Sequence, residues 1–128
     1  MSTSIGTNAG IYDPGRDITG QATAAITAKT FLAITGNRTS RGNIAVATAA
    51  AAGRVCGVAR NDAPSGGLVT IARGNSRVVK VTAGGAIAAF DEVQVGAGGT
   101  AVTLSSGVPV GYALTAAANG SDAEISLY

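Results

Sequence analysis

The chain has 128 residues, enough for one domain with a buried core. Its 26 Ala and 19 Gly stand against five aromatics, so about a third of the chain brings almost no side chain to bury, and so thin a core gains from oligomerisation or from binding a larger surface. A net charge of +2 is too small to argue for nucleic-acid binding by itself, and the lack of histidine and the single cysteine, Cys56, exclude an internal disulfide, a cysteine-cluster metal site and any histidine-based active site.

The charge is unevenly placed. Residues 54–80 carry Arg54, Arg60, Arg73, Arg77 and Lys80 against Asp62 alone, whereas residues 81–128 carry only Asp91, Glu92, Asp122 and Glu124. Opposite surfaces of this kind on one subunit suit head-to-tail mating between copies; a solvated surface with segregated charge is the plainer alternative.

In chain order, residues 1–19 are polar and turn-rich, with Tyr12-Asp13-Pro14-Gly15 and no periodicity. They are expected to form an extended arm, leaving 20–128 as a single β-rich domain. Residues 20–26 and 30–35 read as the first strands and 44–47 as the next. The alanine run 48–52, ended by Gly53, predicts one helical turn. Residues 55–59 and 68–72 predict a hairpin around the turn formers Asn61 to Gly67. Residues 77–81 form a further strand, and the apolar, small-residue stretch 84–90 suits a corner or a helical turn. Residues 91–95 and 100–104 pair across a Gly-rich turn, and a last hairpin closes the chain. Short strands at intervals of about ten residues with glycine-rich turns predict a mainly β fold, a small sandwich or barrel with one or two short helical turns.

One internal echo stands out. Shifted by 54 positions, Gly53, Gly57, Ala59, Ala63, Gly66 and Ile71 fall on Gly107, Gly111, Ala113, Ala117, Gly120 and Ile125. Two equivalent hairpins explain this, and so does chance in an Ala/Gly-rich chain; two copies are too few for a solenoid.

Catalytic signals fail on inspection. Gly96 to Ala101 fits G-x-G-x-x-A, but the residues that follow are β-like where the dinucleotide fingerprint needs a helix. Lys29-Thr30 lacks the glycines of a phosphate loop, and no nucleophile elbow is present. Asp91 and Glu92 are adjacent on a strand and point apart. The basic residues lack interleaved aromatics for stacking bases. No cofactor, metal site or enzymatic role is expected. The N-terminus has no secretory pattern and no apolar run is long enough for a membrane span, which points to a soluble protein made in a cytoplasm. Cys56 reads as a small core residue.

The order Gly53-x-Val-x-Gly-Val-Ala59, then Gly66-Gly67, Val78-Val79-Lys80-Val81, Asp91-Glu92-Val93, Gly107-x-x-x-Gly-Tyr-Ala-Leu114 and Ala123-Glu-Ile-Ser-Leu127 resembles the capsid cement, or head decoration, proteins of tailed bacteriophages, over about residues 20–127. One departure is Phe90, where the family pattern often has glycine. The resemblance implies a virion protein that binds the outside of the expanded capsid and stabilises it, commonly as a homotrimer, with the major capsid protein as partner and no direct contact with nucleic acid or membrane. It implies an arm laid on the shell, with Tyr12, Asp13, Arg16, Arg38 and Arg41 as candidate capsid contacts, and Arg60, Arg73, Arg77, Asp91 and Glu92 as candidate contacts between sister subunits. A tail, baseplate or fibre-associated module is the alternative role.

Overall fold

The computed structural model describes residues 11–12 and 15–128. The fold is almost entirely β, and the choice between sandwich and barrel resolves as barrel. Strands β1 (Asp17–Ala22), β2 (Phe31–Ile34), β3 (Ile44–Thr48), β4 (Gly57–Ala59) and β5 (Leu68–Ala72) close into a barrel in the order β1-β3-β2-β4-β5. β1 closes it, antiparallel to β5 and parallel to β3. Alternation along β1 sends Ile18, Gly20 and Ala22 inward, where Ile18 and Ala22 join Leu32, Val46, Val69 and Ile71 in one core. A five-stranded barrel is narrow, and this accounts for the small-residue composition. A Cβ on Gly20 would lie 2.8 Å from Cδ1 of Ile71 and 3.1 Å from Cγ2 of Val46.

Strands β6 (Val78–Thr82), β7 (Glu92–Val95), β8 (Ala101–Thr103), β9 (Gly111–Ala113) and β10 (Asp122–Leu127) form a second sheet in the order β6-β10-β9-β7-β8. Its two outer strands meet at one parallel bridge, Ala83 to Ala101. Val81, Val93, Val95, Ala113, Ala123 and Ile125 fill its interior.

The two halves are built alike. The hairpins named by the 54-residue echo share a register, Val58 opposite Ala72 and Ala59 opposite Ile71 in one, Tyr112 opposite Ser126 and Ala113 opposite Ile125 in the other. The likeness extends to every strand. Leu32 pairs with Thr48 and Gly57 as Val93 pairs with Thr103 and Gly111. Ile18 opposes Ile71 as Val79 opposes Ile125, and the bridge Ile26–Ala63 returns as Ile87–Ala117. Even a rare backbone conformation repeats: Lys29 and Phe90 have φ of 64° and 69°, and their amides donate to the carbonyls of Ala59 and Ala113. The chain is thus two copies of a five-stranded unit, with the second barrel closed by a single bridge.

The halves pack closely rather than hang as beads. Phe31, Ala49 and Val58 of the first barrel are buried in the same apolar core as Val81, Val95 and Leu127 of the second. The Thr82 amide donates to the Lys29 carbonyl, and Lys29 Nζ lies 2.9 Å from a carboxylate oxygen of Asp122.

Four local expectations are corrected or refined. Residues 48–52 form no helical turn: the Ala49 amide donates to the Phe31 carbonyl and the Ala52 amide to that of Val95, so pairing with both barrels overrides alanine's helical preference. Residues 84–90 form a corner, with Ile87 bridged to Ala117. The glycine-rich stretch after β7 holds a short 3₁₀ turn, Ala97–Gly99, that joins β7 to β8, not the start of a nucleotide-binding helix. β1 begins at Asp17, inside the span 1–19 read as an arm.

Candidate assembly surfaces

Two surfaces combine exposed side chains with unusual chemistry. The first clamps the chain where it enters β1. Gly15 adopts φ of +71°, which turns the backbone toward two arginines. Arg73 Nε donates to the Gly15 carbonyl at 2.8 Å, and Arg77 Nη1 donates to the Arg16 carbonyl at 2.6 Å. Asp17 then sits between two guanidinium groups, 2.6 Å from Arg77 and 2.8 Å from Arg60. The hydrogen bond from Arg77, aided by the charges of Arg77 and Arg60, holds the Asp17 carboxyl below the usual carboxylate range against the opposing pull of desolvation. The Tyr12 ring lies between Arg38 and Arg73, whose guanidinium carbons are 5.7 and 5.8 Å from its centroid. Arg38 Nη1 donates to the Tyr12 hydroxyl at 3.1 Å and to the Gly42 carbonyl at 2.8 Å. Tyr12 also packs on the end of the first barrel beside Ile44 and Cys56, where burial pushes the Cys56 thiol pKa up.

Asp17→Asn is expected to cost less than about 1 kcal/mol, because the pair is two-fifths exposed on the Asp side and solvent screens it. The folded-state pKa of Asp17 is lowered, so its stabilisation is present above the unfolded value and is lost as pH falls through the folded one. Urea titrations at pH 6 and pH 3 check this: the gap between wild type and Asp17→Asn narrows at the lower pH.

The second surface is aromatic and lies on the second barrel. Phe90 and Tyr112 meet edge to face with centroids 5.3 Å apart, and Tyr128 lies 6.2 Å from Tyr112. Phe90 is 78% exposed and Tyr128 53%. The Tyr128 hydroxyl donates to Glu92 Oε2 at 2.7 Å, and that hydrogen bond to a carboxylate pushes the phenol pKa up.

The candidate residues fall as follows. Tyr12, Arg16 and Arg38 gather at the clamp, Arg41 is exposed on the loop beyond Arg38, and Asp13 lies outside the described residues. Arg60, Arg73 and Arg77 belong to the same clamp from the other side. Glu92 belongs to the aromatic surface, whereas the Asp91 carboxylate accepts from the Ala88 amide at 3.0 Å and closes the corner before β7. The pairing of Phe90, Tyr112 and Tyr128 was missed at the sequence level. The signal available was Phe90 in a place that suits glycine: its φ of 69° is a left-handed conformation that glycine adopts freely. Among the described residues, no three histidine, cysteine or carboxylate side chains gather as a metal site.

The described residues form two like five-stranded units that present two such surfaces. Comparison with known proteins defines the chain further. The phage cement protein family matches residues 12–127, and the chain belongs to that family. It is therefore a structural protein of a phage particle. Among solved structures it is similar to the N base of head fiber gp8.5 of bacteriophage phi29, with 25% identity, a TM-score of 0.75, and 88% of this chain and 92% of that chain covered. No curated protein matches the sequence.

Proposed function

We propose that this protein is a cement protein that binds the outer surface of an expanded phage capsid as a homo-oligomer, with the major capsid protein as its partner, and reinforces the shell without catalysis. The observation that carries the reading is the family match across nearly the whole chain. The likeness to a head fibre base supports a position on the head rather than the tail. Tyr12, Arg16, Arg38 and Arg41 present aromatic and cationic groups around the point where the N-terminal residues reach the barrel. In this reading they and Asp13 carry the shell contact, and a trimer is the expected stoichiometry. Many copies on a lattice make weak individual contacts effective.

Co-sedimentation with expanded heads that lack the protein tests this. Saturable binding at a fixed copy number per shell is expected. Heads that take up none of the correctly matched protein overturn the reading in favour of a tail-associated module. Removing residues 1–10 is expected to weaken shell binding by about tenfold, or about 1.4 kcal/mol, and to leave the fold intact. Deletion through Thr19 is not an equivalent experiment, since it removes half of β1 and opens the first barrel.

A further inference from the structure

The repeat gives the aromatic surface a meaning. In the first barrel, Phe31 and Val58 are paired across β2 and β4 and face outward, opposite to Leu32 and Ala59, which face the barrel core. That outward face is fully buried, because the second barrel covers it; Phe31 and Val58 share a core with Val79, Val95, Val110 and Leu127. The register makes Glu92 and Tyr112 the counterparts of Phe31 and Val58, and Phe90 the counterpart of Lys29. On the second barrel no described residue covers this same face, and Phe90 and Tyr128 lie open on it.

We propose that the face of Phe90, Tyr112 and Tyr128 docks onto the end of the first barrel of a second copy of this chain, repeating between subunits the contact that joins the two barrels within one. The proposal rests on the self-assembly proposed above and assigns it a surface. The receiving end is identified by the repeat. Val79, Val95, Val110 and Leu127 belong to the core that buries Phe31 and Val58, and their counterparts in the first barrel are Ile18, Ile34, Cys56 and Arg73. Of these, Ile34 is 59% exposed, an aliphatic side chain left open at a barrel end. Charge agrees with the pairing. The aromatic face carries Glu92 and lies in the acidic half, whereas the receiving end has Arg54 beside Ile34.

Phe90 supplies an independent argument. A bulky residue at φ of 69° is strained, and a ring 78% exposed recovers little of that within one chain. Burial against a second copy accounts for its presence there. The contact is heterologous, so copies join head to tail and the assembly closes into a ring or extends.

Sedimentation equilibrium of the full chain tests this with two variants. Phe90→Gly relieves the backbone strain, so it folds at least as well as wild type, and its self-association is expected to weaken by more than tenfold. Ile34→Asp, at an exposed position on the other surface, is expected to have the same effect. Mixing the two then restores one intact contact, and a one-to-one heterodimer forms that grows no further. Wild type that sediments as a single chain overturns both this proposal and the self-assembly beneath it. An oligomeric wild type whose mass neither variant changes overturns this surface alone. Two variants that stay monomeric when mixed overturn the head-to-tail arrangement.

Discussion

Phe31→Ala is expected to destabilise the protein by about 3–5 kcal/mol, a large share of the stability of any single domain. The ring is 0% exposed and lies where the outward face of the first barrel enters the core of the second. Truncation leaves a cavity that neither barrel can collapse into. β2 is held by β3 on one side and β4 on the other, and the Phe31 carbonyl is fixed by the Ala49 amide. The loss is therefore shared by both halves, and a single urea transition is expected to move as one. Far-ultraviolet dichroism reports the strands, and tyrosine fluorescence weights Tyr112 and Tyr128 in the second barrel. The two signals should shift together. The control is Phe90→Ala, which removes the same ring from an exposed site and should cost less than about 1 kcal/mol. A Phe31→Ala loss below that of the control would mean that the barrels are not joined through this side chain.

Much of the fold could be read from residues, and the rest was hidden for physical reasons. Strand positions followed from short apolar runs bounded by glycine, since turn chemistry is local. The second hairpin echoed the first because both must place a glycine at the tight approach of β4 to β5 and of β9 to β10. The front half of each repeat gave no such echo. Leu32 matches Val93 at a spacing of 61, while Thr48 matches Thr103 at 55, because the β2–β3 loop is six residues longer than its counterpart. That loop holds Arg38 and Arg41, so the insertion that hides the repeat also carries two of the candidate shell contacts. The helical turn at 48–52 failed for another reason. Alanine preference is worth a few tenths of a kcal/mol per residue, whereas leaving the Ala49 and Ala52 amides unpaired beside a core would cost more. The candidate surfaces were only half legible. Charge segregation pointed to the arginines, but the grouping of Tyr12 with Arg38 and Arg73, and of Phe90 with Tyr112, depends on which loops the barrels bring together.

Gly57→Ala and Gly111→Ala are expected to be strongly damaging single-methyl substitutions, and to be damaging to a similar degree. Gly57 opens β4 at φ of +156°, a conformation that side chains rarely adopt. A Cβ there would lie 2.5 Å from the Ala72 carbonyl oxygen and 2.5 Å from Cγ2 of Ile71. Neither neighbour can yield cheaply. Ala72 is paired to Val58 on one side and Asp17 on the other, and Ile71 is a fully buried part of the first core. Gly111 meets the same obstacle in the second barrel, where a Cβ would press on the Ser126 carbonyl oxygen and on Cγ2 of Ile125. Each substitution is expected to cost about 2–3 kcal/mol as overpacking with backbone displacement. Gly85→Ala, with open space around its Cβ and no positive φ, should change stability by less than about 0.5 kcal/mol. The double variant is the sharper test, because the two glycines do the same work in separate barrels and have no shared partner. Their costs should add to within about 0.5 kcal/mol if the barrels remain joined in one cooperative unit. If instead each substitution melts its own half, the single variants will show two transitions by calorimetry, and the repeat will have to be described as two domains rather than one.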